Sequence, residues 1–151
     1  MLKLSTKSRY GVRAMVDLAQ HLDEGPISMK SIAERQGISE HYLEQLIPGL
    51  RKADLVKSVR GPQGGYILGR KPSEIRIGDI IRVLEGPIAT VDCVSEEQPE
   101  CCAKAKNCLT RTIWEKVRDS IAEVLDSITL ENMLEDAKKH EQDQNLYIDF
   151  I

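Results

Sequence analysis

The stretch from Ile27 to Arg70, "ISMKSIAERQGISEHYLEQLIPGLRKADLVKSVRGPQGGYILGR", most narrows what this chain can fold into. Ser28 can cap a short helix over about 29–36, with Ile32 and Ala33 turned inward. Gly37 supplies a turn, and Ser39 caps a second helix whose Leu43, Leu46, Ile47 and Leu50 fall on one face. A short helix, a glycine turn and a second helix make the helix-turn-helix pattern. Pro48 predicts a kink or break near 47–49, because a proline inside a helix removes a hydrogen bond at a cost of about 3 kcal/mol. Arg51 and Lys52 are then expected on a separate turn. Leu55–Val59 and Tyr66–Leu68 are short β-rich runs, and the residues between them, Arg60-Gly61-Pro62-Gln63-Gly64-Gly65, are dense in turn formers. A hairpin directly after a helix-turn-helix is a wing. The expected fold class is mainly α with a small β wing, a winged helix-turn-helix followed by a long helix. The glycines do not form a phosphate-binding loop, since no Gly-Lys-Ser/Thr follows and the segment leads into a strand.

Around this unit, residues 6–22 read as a helix whose apolar stripe of Tyr10, Ala14, Leu18 and Leu22 is widened by Val12, Met15, Val16 and Ala19. That arc is too wide for a surface helix and predicts burial from two sides. A helix is expected over about 78–85, a cysteine-bearing connection over about 88–109, and the clearest helix of the chain over 111–128. There Ile113, Trp114, Val117, Ile121, Val124, Leu125 and Ile128 share one face. Thr129 can cap a last helix over about 130–140, and the tail ends apolar at Leu146, Tyr147, Ile148, Phe150 and Ile151.

Charge separates the two halves. Residues 1–75 carry 12 Lys+Arg against 8 Asp+Glu, and residues 76–151 carry 9 against 16, within a net charge of -3. A basic first half suits a polyanion partner, and equally suits a solvated basic face. No apolar run approaches the roughly 18 residues of a membrane span, and the N-terminus lacks the apolar core of a signal peptide. A cytoplasmic protein with no membrane partner is the expectation.

A winged helix-turn-helix places its second helix in the major groove of DNA. His41, Tyr42, Glu44 and Gln45 lie near the N-terminal end of that helix, beside the Ser39 cap, where base edges are reached. Glutamine can pair with adenine, and glutamate can accept from cytosine N4. Glutamate otherwise repels phosphate, so Glu44 would act as a selector. Arg60, with Gly61 at the wing tip, could enter a narrow minor groove, while Arg51, Lys52 and Lys57 suit phosphate contacts. The competing reading is a winged helix used for protein contacts. Such small domains bind as dimers, with the apolar faces of helices 6–22 and 111–128 as candidate interfaces and two reading helices about 34 Å apart.

All four cysteines, Cys93, Cys101, Cys102 and Cys108, lie in one segment of the connection. Three or four thiolates on one loop could hold zinc or an iron–sulfur cluster. Paired Cys-x-x-Cys spacing, usual in structural zinc sites, is absent. A reversible disulfide switch needs two of the four, and unliganded thiols are the plain alternative. A metalloenzyme or electron carrier is disfavoured: no nucleophile is paired with a base, and His21, His41 and His140 are all distant in sequence from the cysteines. The chain is therefore not expected to be an enzyme.

The stretches "LSTKSRYGVRAMVDLA", "ISEHYLEQLIPGLRKADLVKSVRGPQGGYILG", "GDIIRVLEGPI" and "ITLENML" resemble the Rrf-two family of bacterial transcription regulators over residues 2 to 135. The resemblance implies a homodimeric winged-helix regulator binding a palindromic operator in double-stranded DNA, with a long dimerisation helix. Three parts follow: a DNA-binding domain over 1–87, a cysteine-rich cluster-binding loop over 88–110, and the dimerisation helix with a C-terminal helix and tail over 111–151. In the cluster-sensing branch the loop holds an iron–sulfur cluster, here expected as 2Fe-2S, that reports on cluster biogenesis. Cys93 matches that branch's first ligand, Cys102 the second and Cys108 the third, with Cys101 an extra or alternative ligand. The branch's histidine, three residues after the third cysteine, is replaced by Arg111, which stays protonated and cannot ligate iron. The fourth ligand is left open among Cys101, a side chain of the partner subunit, and an exogenous thiol or water. A nitric-oxide-sensing branch uses an acidic residue where this chain has Ser8. The body of the chain also resembles a cluster-free branch that represses cysteine and sulfur metabolism under control of a protein partner or thiol oxidation.

Overall fold

The computed structural model describes residues 3–97 and 102–148. Eight helices and strands follow in order: α1 Thr6–Gln20, α2 Met29–Gln36, α3 Glu40–Lys52, β1 Val56–Val59, β2 Gly65–Leu68, α4 Ile77–Glu85, α5 Arg111–Ser127 and α6 Leu130–Ile148. Each of the first three helices starts at a serine whose hydroxyl accepts a backbone N–H three residues on, from Ser5 to Ser8, Ser28 to Ser31 and Ser39 to Tyr42. Such caps satisfy an orphan donor of the first turn. Gly37 ends α2 in the left-handed conformation, at φ 62°, which turns the chain into α3 without the Cβ strain another residue would meet.

The wide apolar arc of α1 is buried as expected, except that the helix ends at Gln20 and Leu22, expected on the stripe, lies beyond it and is 46% exposed. Ala14, Met15, Leu18 and Ala19 are buried, and the helix packs on α2, α3, β2, α4 and α6. It approaches α4 closely at Gly11, where a Cβ would lie 2.0 Å from the Leu84 side chain. The core continues through Leu43, Leu46, Ile47 and Leu50 of α3, Leu55 and Val56, and Ile77, Ile80, Ile81 and Leu84 of α4.

β1 and β2 pair antiparallel from Val56 opposite Leu68 to Val59 opposite Gly65. A third, one-residue partner joins them: Ile27 exchanges two hydrogen bonds with Tyr66, at 2.8 and 2.9 Å. This ties the base of the wing to the segment entering α2. Gly65 permits it, since a Cβ there would sit 2.4 Å from the Ile27 carbonyl oxygen.

Two expectations are corrected. α3 runs unbroken through Pro48 to Lys52, so Arg51 and Lys52 sit on its last turn. Leu46, Ile47 and Leu50 are all buried around the proline, and this packing outweighs the lost hydrogen bond. The carbonyl that Pro48 leaves without a donor belongs to Glu44, an exposed residue whose backbone can turn to water. The last helix also extends beyond 140, to Ile148. Its start belongs to the winged-helix core: Leu130 is fully buried, its N–H donates to the Ile75 carbonyl at 2.9 Å, and the Ile77 N–H donates to the Ile128 carbonyl at 2.8 Å.

Candidate functional site

The N-terminal half of α3 presents a polar face to solvent. His41 and Glu44 side chains are 84% and 63% exposed, with Nδ1 and a carboxylate oxygen 4.0 Å apart. The Gln45 amide donates to His41 Nε2 at 3.3 Å. These three side chains touch one another and leave their remaining donors and acceptors free. Tyr42, expected among them, turns back toward the core. It is half-buried and meets Tyr10 edge-on, ring centroids 5.6 Å apart at 88°. Arg51, Lys52, Lys57, Arg60 and Gly61 are exposed.

Between α1 and α2 lies an ion pair that the sequence does not announce. Asp17 of α1, 1% exposed, accepts from Arg35 Nε at 2.9 Å and Nη2 at 2.7 Å, and from the Gln36 amide at 2.9 Å. Arg13 adds a hydrogen bond to the Gln36 carbonyl. Burial pushes the Asp17 carboxyl up; the hydrogen bonds from Arg35 and Gln36, with the charges of Arg35 and His21, outweigh it and hold the group below the usual carboxylate range. The pair fixes the helix-turn-helix to α1. A lone carboxylate between Ala14 and Leu18 in the apolar stripe was the available signal. At the other end of α1, Ser8 is also buried, and its hydroxyl donates to Glu85 of α4 at 2.6 Å.

The cysteine connection is held firmly on its N-terminal side. Glu96 accepts the Ile88 N–H at 2.9 Å, closing the segment into a clip. Thr90 Oγ1 donates to the Trp114 carbonyl at 3.1 Å, and the Val94 carbonyl accepts from Arg118 Nη1 at 2.8 Å. Val94 is 1% exposed. Cys93, half-buried, is thus carried on a segment pinned to α5.

Cys108 is half-buried just before α5. Its thiol, 3.3 Å from Thr110 Oγ1, is pushed down by that hydrogen bond, then by the backbone N–H groups of Arg111 and Thr110. The Arg111 guanidinium donates to Glu115 at 2.9 Å, and that carboxylate stabilises its charge. Cys93 thus sits on a segment tied to α5 and Cys108 stands just before its first turn, with Arg111, a cation paired to Glu115, at the histidine position. Cys102 is exposed, and among the described residues no three His, Cys, Asp or Glu side chains are gathered as metal ligands. Cys101 lies outside the described residues.

α5 buries none of its residues within the single chain. Ile113 and Val124 are 52% and 58% exposed, and an open apolar groove runs along Val117, Ile121, Val124 and Leu125. Among the described residues no helix is long and apolar enough to cross a membrane.

A reading helix with free polar side chains, a wing tied at its base and an uncovered long helix define the winged-helix transcription regulators as a class. Comparison with known proteins narrows this. The Rrf2 family, described as an iron-dependent transcriptional regulator, matches residues 4–136. The chain belongs to this family of transcriptional regulators. It is 49% identical over 150 residues to the HTH-type transcriptional regulator CymR of Bacillus subtilis (strain 168), covering 99% of this chain and 100% of that one. It is 46% identical to the HTH-type transcriptional regulator IscR of Aliivibrio salmonicida, over 89% of this chain and 79% of that one. Among solved structures, T. potens IscR superposes with a TM-score of 0.77 at 60% identity, covering 92% of this chain and 90% of its own.

Proposed function

We propose that this chain is a homodimeric repressor or activator that binds a palindromic DNA operator and senses iron–sulfur cluster status through a labile cluster, governing cluster biogenesis or sulfur metabolism. The observation that carries the reading is one core that holds both a free polar face on α3 and a cysteine loop pinned to α5. Regulation rather than catalysis is its work. A second copy covers the apolar face of α5, and His41, Glu44 and Gln45 reach base edges while Arg51, Lys52, Lys57 and Arg60 meet the backbone or the minor groove, with Ser39 and Gly61 placing them.

The donor chemistry suits a cluster: Cys93, Cys102 and Cys108 are free, and the pull on Cys108 favours the thiolate that binds iron. A 2Fe-2S cluster, when bound, supplies an oxidation- and supply-sensitive tie between distant parts of a loop. Cys93, Cys102 and Cys108 would be its first, second and third ligands, and Cys101 the extra or alternative one. The second reading, a cluster-free repressor of cysteine metabolism controlled by a protein partner or thiol oxidation, draws on the full-length likeness to CymR and on Arg111, which is engaged by Glu115.

Protein purified without oxygen should be brown, with iron and sulfide in equal amounts, and Cys→Ala at 93, 102 and 108 should remove the bound iron. Colourless protein without iron, even after reconstitution, selects the second reading. On DNA, Glu44→Ala should relax base discrimination by about 1–3 kcal/mol at one position. Lys57→Ala should weaken all sequences alike and reduce the salt dependence by about one charge. Fluorescence anisotropy over a set of operator variants checks both; uniform loss from Glu44→Ala would refute its selector role.

A further inference from the structure

The geometry points to Arg82 as the positioning residue that couples the cysteine loop to the reading helix, an inference that rests on the loop being the sensor. Arg82 projects from α4 between two carboxylates. Nε and Nη2 donate to the two oxygens of Glu96 at 3.0 and 2.9 Å. Nη1 and Nη2 donate to the two oxygens of Asp126 at 2.6 and 3.0 Å. Both contacts are forked, so one guanidinium spends four of its five N–H donors. Its rigid plane fixes the loop, through Glu96, against α5, through Asp126. All three side chains are about three-quarters buried, at 24%, 24% and 28% exposure.

The site is one-sided in charge. Two carboxylates face one guanidinium, and Arg76 helps only from farther off, being itself paired with Asp79 at 2.9 Å. Loss of Arg82 would set Glu96 and Asp126 against each other. Glu96 is also the residue that clips the Ile88–Glu96 segment shut, and that segment carries Cys93. A displacement of Cys93 therefore bears on this carboxylate, three residues along the same clip, as well as on the Val94 carbonyl held by Arg118.

The neighbours of Arg82 on α4 carry the displacement onward. Val83 lies over Gly49 of the reading helix, where a Cβ would stand 3.6 Å from Val83 Cγ1. Leu84 packs against Gly11 of α1. Three successive residues of one helix thus meet the loop with α5, the reading helix and the central helix. Packed contacts of this kind respond by shifting between discrete arrangements rather than by absorbing strain.

The test uses the full-length protein with Arg82→Met, which keeps the apolar stem, and Glu96→Gln, which keeps the shape but weakens the forked contact. Hydrogen exchange of the Ile88–Glu96 amides is measured first, on iron-free protein. Both variants should exchange this segment faster while the core of α1 and α3 keeps its protection. Operator affinity is then measured with and without bound iron. A wild-type ratio between the two forms in the usual range of about 5- to 150-fold should fall toward one in both variants, with little change in iron content. Arg82→Lys should not restore it, since an ammonium cannot fork to two carboxylates. Unchanged exchange, or an unchanged affinity ratio beside faster exchange, overturns the coupling role. If the wild type binds no iron, the sensor reading falls by itself, and unchanged exchange in the variants still overturns the tether while faster exchange upholds it.

Discussion

Arg35→Met is expected to destabilise the fold by about 3 kcal/mol, at the lower end of the range for breaking a buried ion pair. The cost arises on Asp17. With the guanidinium gone, a carboxylate that is 1% exposed keeps the Gln36 amide at 2.9 Å and, farther off, the His21 ring at 3.7 Å. The side chain of Arg35 is 35% exposed, so Asp17→Asn, which leaves the charge on the side that can reach water, should cost less, about 1–3 kcal/mol. This asymmetry separates an uncompensated buried charge from a mere lost contact. The pair also has a pH signature. The Asp17 carboxyl titrates lower in the folded protein than in the unfolded chain, so its contribution is complete above the unfolded titration and is lost as pH falls through the folded one. The stability gap between wild type and Arg35→Met should therefore be widest near neutral pH and close in acid. Urea unfolding at several pH values reads this directly. A gap that stays constant down to the acid limit would show that the ion pair is not its source.

Val124→Asp should leave the single chain folded and cut operator affinity by about 10²–10⁴-fold. Val124 is 58% exposed on α5, so an aspartate there meets water in the monomer. Against a second copy of the same apolar face it would be buried without a partner, which a dimer cannot tolerate. A palindrome bound by one chain at a time loses the gain of the second, tethered reading helix. Light scattering gives the mass and anisotropy the affinity, with thermal unfolding as the check on the fold. A variant that stays dimeric with full affinity places the interface elsewhere.

The parts of this molecule legible in its sequence are those governed by neighbours along the chain. The serine caps, Gly37 and the hairpin turn act between close neighbours along the chain, and all appear where their chemistry predicts. Pro48 misled for the opposite reason: its local cost is real, but the buried Leu46, Ile47 and Leu50 come from contacts distant in sequence. Tyr42 was placed outward by the helical period, and Tyr10, from another helix, draws it in. The charged groups were the least legible. Asp17 and Arg35 are 18 residues apart and Arg82 and Asp126 are 44 apart, and nothing local tells a paired charge from a solvated one. The same holds for the thiols: their spacing suggests ligands, but the ties of Thr90 to Trp114 and Val94 to Arg118, which hold the Cys93 segment on α5, join residues 24 apart.

The free face of α3 has a consequence for how such a protein can change. His41, Glu44 and Gln45 are exposed, and their side chains lean on one another rather than on the core. Exposed substitutions of this kind shift stability by no more than about 0.5 kcal/mol. Leu43, Leu46 and Ile47, interleaved with them on the same helix, are buried and constrained. On the proposed reading of α3 as the base-contacting helix, preference for a binding sequence and integrity of the scaffold are thus written on alternate sides of one helix. New operators can be acquired one side chain at a time, by drift across the outer positions, while the inner ones hold the architecture still.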